Sequence, residues 1–169
     1  MKSIKQIIDR ILAEHETILR NSQNVLNTSN DAGIVTGLTG VESSLAPANT
    51  DTVQMLGLLQ GLLESLTMRL NAHFTFEEAG LVFALEKYGD RQLSEAFGVL
   101  FLEHENLRNG MARAGKEAAE LAAGDDSPEV LGVKIQALRD RINNIVHLLR
   151  NHAAAEQKLL EDLRDRPEK

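Results

Sequence analysis

Five histidines, at positions 15, 73, 104, 147 and 152, are the side chains of this 169-residue chain best suited to chemistry near neutral pH. Two of them are followed four residues later by a glutamate: His73 by Glu77, and His152 by Glu156. Residues four apart on an α-helix share a face, with Cβ atoms about 6 Å apart. Each pair can therefore bring a nitrogen and a carboxylate to one point. Imidazole and carboxylate together suit iron, and also manganese or zinc. The chain has no Cys, which excludes disulfides, thiolate metal sites and a thiol nucleophile.

The arrangement occurs twice. The stretch LAEHETILRN around His15 aligns without gaps with FLEHENLRNG around His104. Each is followed by a His-x-x-x-Glu segment, at separations of 73 − 15 = 58 and 152 − 104 = 48 residues. The chain reads as two helical hairpins of one pattern, each supplying two histidines and one glutamate. That is the composition of a pseudo-symmetric two-metal site. The flanking Glu14, Glu16, Glu103 and Glu105 point off the apolar stripes and read as solvated-face residues, with contact to the imidazoles as the alternative.

The elements that must position these residues are helices, because apolar residues recur at helical spacing and no strand-like alternation occurs. The first helix is expected over roughly Ser3–Leu26, with a stripe of Ile4, Ile8, Ile11, Ile18 and Val25. Residues 28–49, rich in Thr, Ser, Asn and Gly, read as a long connection, with a short helix inside it at Ile34, Leu38, Val41 and Leu45. The second helix starts at an N-cap within Asn49–Asp51, carries Met55, Leu59, Leu62, Leu66, Leu70 and Leu81, and stops at Gly89. Asp90 caps the third, which carries Leu93, Phe97, Leu100, Leu107 and Met111 and ends near Gly124. Ser127 and Pro128 open the fourth, which carries Leu131, Leu138, Ile142, Ile145, Leu149 and Leu159 and frays at Pro167. Four amphipathic helices with mostly short turns make an all-α antiparallel bundle, expected to be one domain over residues 1–169.

His15, His73, His104 and His152 each extend one of these stripes, so every helix aims one imidazole at the same interior. Taken singly, each could be an ordinary core histidine. Four on four helices, joined by two inward glutamates, are better explained by metal. A buried carboxylate without compensating charge is very costly, no Lys or Arg on those stripes supplies it near the middle, and a pair of cations does. His147 lies five residues before His152, about 140° around the helix, and reads as a surface residue.

The ordered set His15, His73-x-x-x-Glu77, His104, His152-x-x-x-Glu156 resembles the hemerythrin-like family, the HHE cation-binding domain, over nearly the whole chain. The resemblance implies an up-down-up-down four-helix bundle around a non-heme di-iron centre. Glu77 and Glu156 would bridge two iron ions. His15, His73, His104 and His152 would be terminal ligands, two per iron, with an oxo or hydroxo group completing the bridge. The oxygen-carrying members have a further histidine four residues after the one on the third helix, where this chain has Arg108. It looks more like the four-histidine, two-glutamate subgroup, which includes proteins that repair iron centres and the iron-sensing domain of a ubiquitin-ligase subunit. The former carry a cysteine-bearing N-terminal segment, and this sequence contains none.

Four histidines and two glutamates leave each iron an exchangeable position for O2, peroxide or NO. An apolar wall of Leu70, Leu81, Phe97, Phe101, Ile145 and Leu149, with Gly80 and Ala155 leaving room, favours small diatomics over charged substrates. Arg108 is either an anion-binding group at the mouth or a rim salt bridge. The expectation is a protein that binds or senses O2 or NO, or handles iron under oxidative or nitrosative stress. The alternatives are a di-iron oxidase or hydrolase of an organic substrate, and an interaction bundle stabilised by its metal. Against the enzyme, the only Tyr is Tyr88, near a helix end, and no general acid lies on the interior stripes. The net charge of −7 and the lack of a basic cluster argue against nucleic acid or an anionic membrane as partner. The N-terminal residues resemble neither a leader nor a span, and the default location is the cytoplasm.

Overall fold

The computed structural model describes residues 3–39, 50–124 and 126–166. They form four helices: α1 (Ile4–Thr39), α2 (Thr50–Tyr88), α3 (Arg91–Ala122) and α4 (Pro128–Arg164). No strand occurs among the described residues. Each helix packs on its neighbours in the chain, and α4 closes back onto α1. Contacts between helices fix their directions. Glu14 meets His73 while Ile7 meets Gly80, Gln23 meets Arg150 while His15 meets Glu156, and Glu103 meets His152 while Glu117 meets Arg141. In each pair of helices, numbers rise on one as they fall on the other. The result is the expected up-down-up-down antiparallel bundle.

The predicted stops hold where local chemistry is strong. The Asp90 carboxylate accepts the Leu93 amide at 2.9 Å and starts α3. Gly124 takes φ +86°, a left-handed conformation that halts the chain after α3 at little cost to glycine. Pro128 opens α4 with Ser127 as its N-cap, although the serine side chain makes no capping bond. Asn49, Val41, Leu45 and Pro167 lie outside the described residues.

The first helix corrects the sequence-based expectation, because α1 runs on past Leu26 to Thr39. The polar texture does not break it. The Ser22 hydroxyl donates to the Leu19 carbonyl and the Ser29 hydroxyl to the Leu26 carbonyl, each at 2.8 Å, so serines are satisfied on the helix's own backbone. Val25 is buried and packs in the main core, and tertiary burial outweighs weak local propensity. On α2 the inward stripe is rotated slightly from expectation: Leu56 and Leu63 are buried while Met55 and Leu62 are half-buried. On α4, Leu160 rather than Leu159 is the buried residue.

The core falls into two apolar clusters. One, built on Leu59, Leu63, Leu66, Met111, Ile135 and Ile142, fills the end nearer the α3–α4 turn. The other, built on Ile8, Ile11, Leu81, Phe97, Leu100 and Leu160, fills the end nearer the α2–α3 turn. Between them lies a layer of buried ionisable side chains, one or two from each helix. No described helix is long and apolar enough to cross a membrane.

Candidate metal centre

The polar layer consists of His15, His73, Glu77, His104, His152 and Glu156, all buried. Helical periodicity puts them there. His15 follows Ile8 and Ile11 by seven and four residues, and His104 follows Phe97 and Leu100 by the same steps. On α2 and α4, the i, i+4 spacing places Glu77 beneath His73 and Glu156 beneath His152.

All four imidazoles turn Nε2 inward. His73 Nε2 lies 2.7 Å from Glu77 Oε1, and His15 Nε2 lies 3.4 Å from the same oxygen. His15 Nε2 is also 3.2 Å from Glu156 Oε2. His152 Nε2 is 3.5 Å from Glu156 Oε2, and His104 Nε2 is 3.4 Å from Glu77 Oε2. The His104 and His152 Nε2 atoms are 3.1 Å apart. Each carboxylate therefore touches histidines from both hairpins. Two ligand-forming groups emerge: His15, His73 and Glu77, and then Glu77, His104, His152 and Glu156. Glu77 belongs to both.

Three of the imidazoles turn Nδ1 outward to a second carboxylate. His73 Nδ1–H donates to Glu14 Oε2 at 2.8 Å, His104 to Glu78 Oε1 at 2.9 Å, and His152 to Glu103 Oε2 at 2.9 Å. Such outer bonds fix the ring and leave Nε2 free to coordinate. Arg10 Nε pairs with Glu14 Oε1 at 2.7 Å, and Arg108 Nη2 with Glu78 Oε1 at 3.0 Å. Glu14 and Glu103 thus do more than face solvent, while Glu16 and Glu105 are exposed. Glu78 was not singled out from the sequence. The signal available was the pair Glu77-Glu78, whose second member faces α3.

Metal-free electrostatics follow from these contacts. Burial pulls the His15 pKa down, but the two carboxylates at its Nε2, Glu156 and Glu77, outweigh it and carry it up to about 9. Burial pushes Glu156 up, and His15 and His152 outweigh that and hold it below the usual carboxylate range. Burial lowers His104, while His152 rises because Glu156 and Glu103 overcome its burial.

The donor set fits a cation. His15 Nε2 and all four oxygens of Glu77 and Glu156 are buried without a hydrogen-bond partner. Buried polar atoms in native proteins are normally paired. Five orphans aimed at one spot, with no Lys or Arg among their contacts, are what a metal site looks like from its ligand side.

The surroundings correct the expected wall. The void beside the layer measures about 10 Å³ and is lined by Ile18, Leu19, Leu70, Phe74, Leu149 and Ala153 with His15, His73 and His152. Leu70 and Leu149 are as expected. Leu81 and Phe97 lie in the cluster on the other side of the layer. Ile145 packs toward Gly110, Gly80 is closed by Ile7, and Ala155 is exposed. The Phe101 ring centroid is 5.6 Å from that of His104. A larger groove of about 300 Å³, lined by Arg10, Ala13, Glu14, Thr17, Arg69 and Ala72, meets His73 on its outer side, at Glu14. His147 is exposed and bonds Asn151 at 3.1 Å. Arg108 takes the rim role, bound to Glu78 with its guanidinium 5.2 Å from the Phe74 ring centre.

Residues 6–161 match the family model of the hemerythrin HHE cation-binding domain, and the chain belongs to that family. Comparison with curated proteins and with solved structures gives no match. A bundle with a buried His–Glu layer and a cation-binding family together define the class: a helical metal-binding protein.

Proposed function

We propose that this chain is a non-heme di-iron protein that binds or senses O2 or NO, or handles iron under oxidative or nitrosative stress. His15, His73, Glu77, His104, His152 and Glu156 hold the two iron ions. His15 and His73 serve one, His104 and His152 the other, and Glu77 and Glu156 lie between them. The observation that carries this reading is the set of five orphaned buried donor atoms on three of those residues. Nitrogen and oxygen donors without sulfur suit iron, and manganese or zinc also fit the set.

Bound iron supplies the redox chemistry and the exchangeable position for a diatomic ligand. The protein supplies orientation and exclusion. Glu14, Glu78 and Glu103 hold three imidazoles from behind. Leu70, Phe74 and Leu149 keep bulk water from the layer, and the void beside it has room for about one water-sized molecule. That size supports a diatomic ligand over an organic substrate. A cytoplasmic setting belongs to the same reading.

Anaerobic reconstitution with iron, metal analysis and visible absorption test it, followed by titration with O2 and NO. Two irons per chain and a spectrum that changes with either gas are expected. Fewer than one bound iron per chain would sink the reading.

A further inference from the structure

The two halves of the cluster differ in what stands behind them. In the α3–α4 half both imidazoles are anchored, His104 by Glu78 and His152 by Glu103, each at 2.9 Å. In the α1–α2 half only His73 is, by Glu14 at 2.8 Å. The carboxylate contacts of His15 run through Nε2, and among the described residues its Nδ1 has no carboxylate at ion-pair distance.

The internal repeat explains the difference. Glu14 and Glu103 occupy equivalent positions and act alike, each on the histidine of the following helix. Glu78, the residue after Glu77, reaches His104. The residue after Glu156 is Gln157, an amide in the equivalent place, and it donates to Glu161 Oε1 at 2.9 Å instead. Phe74, the residue after His73, stacks on His104 with centroids 3.9 Å apart and planes 10° apart. Its equivalent after His152 is Ala153, which lines the void beside His15. His104 is therefore held by a carboxylate behind and a ring against its face, with Arg108 locking that carboxylate at 3.0 Å. His15 has neither.

A carboxylate on the outer nitrogen fixes the tautomer and ring direction and strengthens the inner nitrogen as a donor, and removing one typically costs about 10–100-fold in metal affinity. We infer that the two halves take up cations unequally: the His104–His152 half fills first and holds its ion more tightly, with Glu78 and Glu103 as its positioning residues. This rests on the reading that the cluster binds two cations.

The test titrates the metal-free protein with Zn2+, following heat of binding and the NMR signals of the histidine ring nitrogens. The first equivalent is expected to shift His104 and His152, and the second His15 and His73, with dissociation constants at least about tenfold apart. Glu78→Gln is expected to weaken the first step about tenfold and leave the second within about twofold. Glu14→Gln is expected to do the reverse. Gln157→Glu, which supplies the missing carboxylate, tightens the second step and narrows the gap. Two equal steps, all four rings shifting together, or a Glu78→Gln loss spread over both steps would overturn the inference and leave the two-cation reading standing. No zinc binding at all would overturn both.

Discussion

Above and below the His–Glu layer the described interior is hydrocarbon apart from the hydroxyls of Ser22, Ser29 and Thr52; within the layer, six ionisable side chains meet with hardly any water-accessible surface. The apolar clusters gain stability from burial alone, at about 25 cal/mol per Å2 removed from water. The layer gains nothing of that kind. Its carboxylate oxygens lack hydrogen-bond partners, and its attraction comes from imidazoles that must be protonated to give it. The same backbone regularity thus produces two regions of opposite energetics. One holds the fold without help, and the other is tolerable with protons and better satisfied by cations. A layer maintained against its own cost points to function.

The largest effect that separates the regions belongs to the hydrocarbon. Phe97 is fully buried, and Phe97→Ala is expected to cost about 3–5 kcal/mol, equally with and without metal, in denaturant unfolding. A cost that depended on metal would merge the two regions and weaken the account. Metal saturation comes next. At free iron a hundred times the dissociation constant, the wild type should gain about 2.7 kcal/mol for each site filled. A chelator should reverse this, and Glu77→Gln should abolish most of it.

The pH dependence of the metal-free protein follows from the layer. The raised His15 pKa contributes stability that is complete below 6.5 and is lost as pH rises through about 9. The lowered Glu156 pKa contributes stability that is present above 4.5 and is lost as pH falls below the usual carboxylate range. Thermal unfolding should therefore be most favourable to the metal-free fold between about pH 4.5 and 6.5 and decline toward 9. Cations take the place of the His15 proton, so the gap in Tm between loaded and metal-free protein should widen over pH 6.5–9. A constant gap would contradict the proton–metal exchange.

Smaller effects sharpen the contrast. In the metal-free protein Glu77→Gln removes one of the carboxylates that raise His15, so its loss of stability with rising pH should begin at lower pH than in the wild type, as thermal unfolding across pH 6.5–9 would read. His147→Gln, an exposed change away from the layer, should move stability by less than about 0.5 kcal/mol and metal content not at all.

Much of this was legible in the sequence because periodicity is strong evidence on long helices. The four histidines and two glutamates continue apolar stripes, and those stripes leave them nowhere to point but inward. The wall around the layer was harder to read. Leu81 and Phe97 share faces with Glu77 and His104 but lie a turn or more along the axis, in the other cluster, and a face alone does not give depth. Ala155 and Ala153 are two positions apart and face different ways. Glu78 was hidden because its role depends on α3 lying beside α2, a fact of packing. The Ser- and Asn-rich part of α1 misled because those residues favour turns when nothing else holds them, and here Ser22 and Ser29 are buried and bonded to the helix's own carbonyls.

The measurement that bears most directly on the central claim is anomalous diffraction at the iron edge from crystals of the iron-loaded protein. Two peaks inside the layer are predicted, one against the Nε2 atoms of His15 and His73 and one against those of His104 and His152, with Glu77 and Glu156 between them. Iron bound at the surface, or a layer whose carboxylates pair with imidazoles and hold no metal, would contradict it.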